Sequence, residues 1–74
     1  MNKYTLGDYG RFDFILKKKG ISTCFNLCAT VMDIDGKYIL ICDNDEISYL
    51  VRQSDIKSFA PEKKPAIEVI ETNK

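Results

Sequence analysis

An Asp-Gly pair at positions 35 and 36 sits between two apolar, β-forming runs, and it constrains this 74-residue chain more than any other feature. Two-residue hairpin loops need positive φ at their centre, which Asp and Gly tolerate and branched residues resist. The pair predicts a type I′ turn with Ile34 opposite Lys37. Val31 then lies opposite Leu40, and Met32 opposite Ile39. The strand before the turn runs from Thr23 to Ile34 and is long for its kind. Phe25, Leu27, Ala29 and Val31 share one of its faces. Cys24, Asn26, Cys28, Thr30 and Met32 share the other. A strand of that length in so short a chain has to bend, so that one strand serves two sheets. The strand after the turn is Tyr38 to Asp43.

The same period of two continues on both sides. Phe12, Phe14 and Leu16 alternate with Asp13 and Lys17, Ile15 being the exception, which predicts a strand over Arg11 to Lys17. A charged turn, Lys17-Lys18-Lys19-Gly20, closes it. Asn44-Asp45 predicts another turn, followed by a strand from Glu46 to Arg52. That spacing sets Cys42 against Ile47, Leu40 against Tyr49 and Tyr38 against Val51. Ile39, Ile41 and Leu50 then occupy one face, and Tyr38, Leu40, Tyr49 and Val51 the other. Ser54 to Phe59 predicts one helical turn, from the N-cap Ser54 and the three-residue spacing of Ile56 and Phe59. Pro61 and Pro65 bracket a charged linker, and Ala66 to Glu71 predicts a fifth strand at an edge. Residues 1–10 read as an irregular arm and 72–74 as a polar tail. A rival reading, a helix from Asp45 to Phe59, uses the spacing of Ile47, Leu50 and Val51. The alternation of Ile47, Tyr49 and Val51 argues against it.

The expected fold is all-β, a five-stranded small barrel over residues 11–71 with one helical turn before the last strand. Four strands on short turns, a helical turn at Ser54-Asp55-Ile56-Lys57-Ser58-Phe59 and a short fifth strand resemble the Src-homology-three-like small barrel. That superfold includes Tudor, ribosomal KOW and Sm-like domains. The resemblance implies a binding module. The features that mark particular branches differ here. There is no Trp for a proline-peptide platform. The turns at 17–20, 35–36 and 43–46 carry no aromatic residue for a methyl-lysine cage. No Gly precedes Gly36 in the long second strand, where Sm-like proteins usually carry one.

Charge and composition remove other functions. Eleven Lys and Arg balance eleven Asp and Glu, so a nucleic-acid surface could only be a local strip. Arg11, Lys17, Lys18, Lys19 and Lys37 are its candidates. With no His, imidazole acid–base catalysis and the usual zinc or copper sets are excluded. Asp33-Ile34-Asp35-Gly36 echoes a calcium loop, but position twelve would be Asn44, which cannot supply a bidentate carboxylate. Three cysteines, Cys24, Cys28 and Cys42, lie in apolar stretches and read as buried thiols. No apolar run approaches membrane-spanning length and no secretory leader is evident, so the expected location is cytoplasmic. Asp43, Asp45 and Glu46 form an acidic corner and Lys17 to Lys19 a basic one, expected at the same end of the domain.

The expected function is a non-enzymatic module, without cofactor or metal, that binds a protein partner. Tyr38 and Tyr49 read either as an exposed aromatic face or as core residues with the hydroxyl at the rim. With Arg11, Lys17, Lys18 and Lys19 they are the candidate binding residues. RNA or DNA binding through the basic strip is the second reading. A small inhibitor or a structural component of a mobile element is the third. Apolar residues on both faces of the central hairpin also point to a homodimer, the alternative being that the N-terminal arm with Tyr4, Leu6 and Tyr9 covers the outward face.

Overall fold

The computed structural model describes residues 3–64. Over these the chain is all-β: β1 (Tyr9–Lys18), β2 (Ile21–Asp35), β3 (Tyr38–Asp43), β4 (Ser48–Arg52) and β5 (Ile56–Pro61), with a 3-10 turn at Gln53–Asp55 before the last strand. Every neighbouring pair is antiparallel, in the order β4-β3-β2-β1-β5. The sheet curls far enough for β4 to touch β1, but β4 and β5 are not hydrogen-bonded to each other. It is a barrel only in that loose sense.

The inner face makes the core. Phe12, Phe14, Ala29, Val31, Ile39, Ile41 and Val51 are buried from four successive strands. Phe14 lies nearly parallel to Phe25 at 5.2 Å, and Phe12 packs on Phe59 at 4.6 Å. Burying aromatic rings in such pairs supplies much of the apolar burial available to a sheet this small.

The turns fall one residue from their expected places. Lys19 and Gly20 both have positive φ (52° and 81°) between the paired Lys18 and Ile21, so the type I′ signature belongs to the first hairpin. At the second, Asp35 stays in β2 paired with Tyr38. Only Gly36 has positive φ, at 59°, which matches a II′ turn over Gly36-Lys37. A Cβ at Gly36 would meet nothing within 4 Å, so the cost of a side chain there is one of backbone conformation. Gly36→Val should lower stability by about 1–3 kcal/mol. An unchanged urea midpoint would show that the turn does not need its positive φ.

Two bulges account for the other shifts. The shifted turn sets Ile34 against Ile39 and Asp33, rather than Val31, against Leu40; beyond it the β2–β3 register slips between Val31 and Asp33, which puts Val31 opposite Ile41. Val31 and Ile34, three apart, thus both turn inward, while Met32 is left 55% exposed. A second slip occurs where β1 pairs β5. Phe12 meets Phe59 and Phe14 meets Ile56. The three-residue spacing that predicted a helical turn over Ser54 to Phe59 is a strand with one extra residue. The helical turn lies just upstream, at Gln53–Asp55. The strand expected at Ala66 to Glu71 lies outside the described residues.

The N-terminal residues seal the core rather than cover the outer face. Tyr4 is buried against Phe12 and Phe59, and burial pushes its hydroxyl pKa up. The Gly7 and Val31 amides bond the carbonyls of Val31 and Asp8 respectively, at 2.9 and 2.8 Å. Tyr9 and Gly10, read as part of the arm, open β1.

Candidate functional site

The β3–β4 hairpin decides which residues face outward. Its loop holds one residue more than the sequence reading allowed, because β4 starts at Ser48 rather than Glu46. Asp43 builds that loop. Its Oδ1 accepts the amides of Asp45 and Ile47, each at 2.9 Å. Its carbonyl accepts the Glu46 amide at 3.0 Å, and Glu46 takes the left-handed position with φ 66°. The register becomes Cys42–Ser48, Ile41–Tyr49, Leu40–Leu50, Ile39–Val51 and Tyr38–Arg52.

The faces change accordingly. Val51 and Tyr49 turn inward with Ile39 and Ile41. Tyr49 packs its ring on Phe14 and Phe25, and its hydroxyl donates to Asp43 Oδ2 at 3.1 Å. Burial, then the Asp43 carboxylate, push the Tyr49 pKa up. The exposed-face reading of Tyr49 is therefore corrected. The outward row is Tyr38, Leu40 and Leu50 with Arg52. Leu50 is 61% exposed and Tyr38 37%. Arg52 lies over the Tyr38 ring, 5.6 Å from its centre, and its Nη2 reaches the Tyr38 hydroxyl at 3.3 Å.

Where the curled sheet comes round on itself, a shallow cleft of about 420 Å³ opens beside this row. Ile15, Lys17, Tyr38, Leu50, Arg52 and Asp55 line it. Of the residues singled out from sequence, it gathers Lys17 and Tyr38. Lys18 and Lys19 lie at the β1–β2 turn. Arg11 points from β1 toward Asn26 Oδ1 at 2.9 Å and Glu62 at 3.7 Å. Lys17 meets Asp55 at 3.5 Å. Carboxylates just after β5 (Glu62) and in the 3-10 turn (Asp55) thus interrupt the basic strip.

The two charged corners are not together. Asn44 donates to the Tyr9 hydroxyl at 3.0 Å, which ties the acidic turn to the start of β1. The lysine turn is at its other end, roughly 30 Å away along an extended strand. The length of β2 causes this, since β3 pairs only with its C-terminal half. Asp43, the organiser of its turn, does carry a signal in the sequence, since Asp-Asn-Asp before a strand is an Asx-turn signature.

Amide donation from Ile47, then Asp45 and the Tyr49 hydroxyl, hold the Asp43 carboxyl below its ordinary value, against some desolvation. A carboxyl depressed by folding adds stability above the ordinary carboxylate range. That stability disappears as pH falls through the folded value. Asp43→Asn should therefore melt lower than wild type at neutral pH, and the two melting temperatures should converge on acidification. A constant gap down to pH 3 would contradict the assignment.

Among the described residues no group of three or more His, Cys, Asp or Glu is placed to hold a metal ion. Nor does any helix have the length and apolarity to cross a membrane. The thiols differ from expectation. Cys24 is exposed and Cys28 and Cys42 are half-buried, because all three point to the outer face. Cys28 Sγ lies 3.3 Å from Glu62 Oε1. Native protein should label rapidly at Cys24 and more slowly at the other two. Equal rates at all three would contradict that placement. No family model matches the sequence, and no curated protein or solved structure matches it significantly.

Proposed function

We propose that this chain is a non-enzymatic, cytoplasmic binding module whose partner is a protein docking on the open edge of β4 and the apolar row beside it. One observation carries this reading. β4 ends the sheet among the described residues, with Leu50 exposed on it and Tyr38 exposed beside it on β3. Extended peptides add to such edges through main-chain hydrogen bonds, with neighbouring side chains giving selectivity. The element order, four strands, a 3-10 turn and a fifth strand, supports the resemblance to the Src-homology-three-like barrel. A protein partner is favoured over nucleic acid. Arg11 and Lys17 already face Glu62 and Asp55, and the net charge is zero. The cleft is shallow, and the sequence has no His for imidazole acid–base work.

Selection from a displayed library of extended peptides tests the reading. Selected peptides should bind wild type and lose binding to Leu50→Lys. Failure to select any peptide, together with tight random-sequence RNA binding that falls steeply with salt, would overturn it in favour of the basic strip.

A further inference from the structure

We infer that the partner at β4 is a second copy of this chain, joined edge to edge in antiparallel register about Leu50. The inference rests on the reading of β4 as a docking edge. Hydrogen bonding between β3 and β4 is fixed at both ends of the hairpin, by Asp43 amide to Ile47 carbonyl at 2.9 Å and Gln53 amide to Lys37 carbonyl at 2.7 Å. Antiparallel pairs alternate between bonded and non-bonded. Ile41–Tyr49 and Ile39–Val51 are therefore bonded, and Leu40–Leu50 is not. The amides and carbonyls of Ser48, Leu50 and Arg52 consequently point away from β3, toward the open edge.

A symmetric pairing that sets Leu50 against Leu50 uses all three. Ser48 of each copy then meets Arg52 of the other, for about six main-chain hydrogen bonds. Side-chain direction follows the same alternation. The outward Leu50 side chains meet beside Leu40 and Tyr38 of each copy, so one apolar patch crosses the two-fold axis.

Charge favours this occupant. β4 runs from an acidic end, Asp45 and Glu46, to a basic end, Arg52 with Lys37 beside it. Antiparallel pairing brings each acidic end to the other copy's basic end, while Asp55 is held by its own Lys17. Zero net charge leaves no overall repulsion between copies. The other edge is guarded. β5 carries Lys57, ends at Pro61 and is bulged, each of which obstructs pairing. β4 reads Ser-Tyr-Leu-Val-Arg, with no Pro and no bulge.

Sedimentation equilibrium of the full chain tests the inference. Wild type should appear at twice its 8.5 kDa mass in the micromolar range. Leu50→Lys should remain folded by circular dichroism and run as a monomer, since it opposes two like charges. Leu50→Pro removes an amide that β3 does not use, and should do the same. In a Cys24→Ser background, Leu50→Cys should give a covalent dimer with diamide. Paired Cα atoms here are about 5.5 Å apart, within disulfide reach. Lys57→Cys in that background should not. Monomeric wild type at high micromolar concentration, a mass above twice the chain, or a Leu50→Lys dimer would each overturn the inference. A wild type that dimerises only after removal of residues 65–74 would assign the edge to that segment instead. If wild type is monomeric yet still takes selected peptides at Leu50, only the second copy is lost. If it takes none, the binding-edge reading is lost as well.

Discussion

Gly10→Val should leave most of the chain unfolded at room temperature. Gly10 lies in β1 between Ala29 of β2 and Pro61 of β5, and β5 crosses it closely. A Cβ there would overlap the Ala60 carbonyl oxygen, and would stand 2.6 Å from Phe59 Cε1 and 2.9 Å from Pro61 Cα. Two of those neighbours are backbone, so relief requires moving β5 off β1. That movement also opens the Phe12–Phe59 contact. Overpacking in a core costs about 1–3 kcal/mol where side chains can adjust, and more where they cannot. For a sheet of this size, roughly 3 kcal/mol is much of the total stability. Circular dichroism in urea checks it. A Gly10→Val protein with the wild-type midpoint would show that β5 does not lie where it is described.

Phe14→Ala should cost about 3–5 kcal/mol by emptying the centre of the core. The ring is fully buried and lies against Phe25 and Tyr49, so its removal leaves aromatic neighbours on two sides without contact. Flanking strands have little freedom to collapse into the gap, because β1 is paired on both edges. Lys57→Ala, on exposed β5 surface, should stay within about 0.5 kcal/mol of wild type. Equal losses for the two variants would mean that Phe14 is not at the centre.

The strands were legible in the sequence wherever period two ran unbroken. Phe12 and Phe14 on β1, and Ile39 and Ile41 on β3, share a face within each strand as their alternation requires, and the structure makes that face the inner one. Expectation and structure part where a turn moved or a strand gained a residue. The β2–β3 register moved first with its turn, from Asp35-Gly36 to Gly36-Lys37, and again at the Met32 bulge. The slip opposite Asp13 and Phe14 gave Ile56 and Phe59 a helical spacing although both lie on a strand. Neither bulge carries a Gly or Pro to announce it. At Glu46 the left-handed residue is one that rarely adopts that conformation, so the longer loop left little trace. That single residue reversed the faces of Tyr49, Leu50 and Val51, as a one-residue slip in a sheet must. The site was therefore half legible. Tyr38 and Lys17 lie at the cleft, while Leu50 and Arg52 depend on the register. Arg11 was visible as a charge but its pairing with Glu62 was not, because that pairing depends on how β5 lies against β1.

Amide hydrogen exchange along β4 tests the account most directly. In dilute protein, the Tyr49 and Val51 amides should be protected by β3, and the Leu50 and Arg52 amides should exchange rapidly. Raising the protein concentration should slow Leu50 and Arg52 selectively. Strong protection of Leu50 in dilute monomer, or rapid exchange at Tyr49 and Val51, would contradict the open edge on which the proposed function rests.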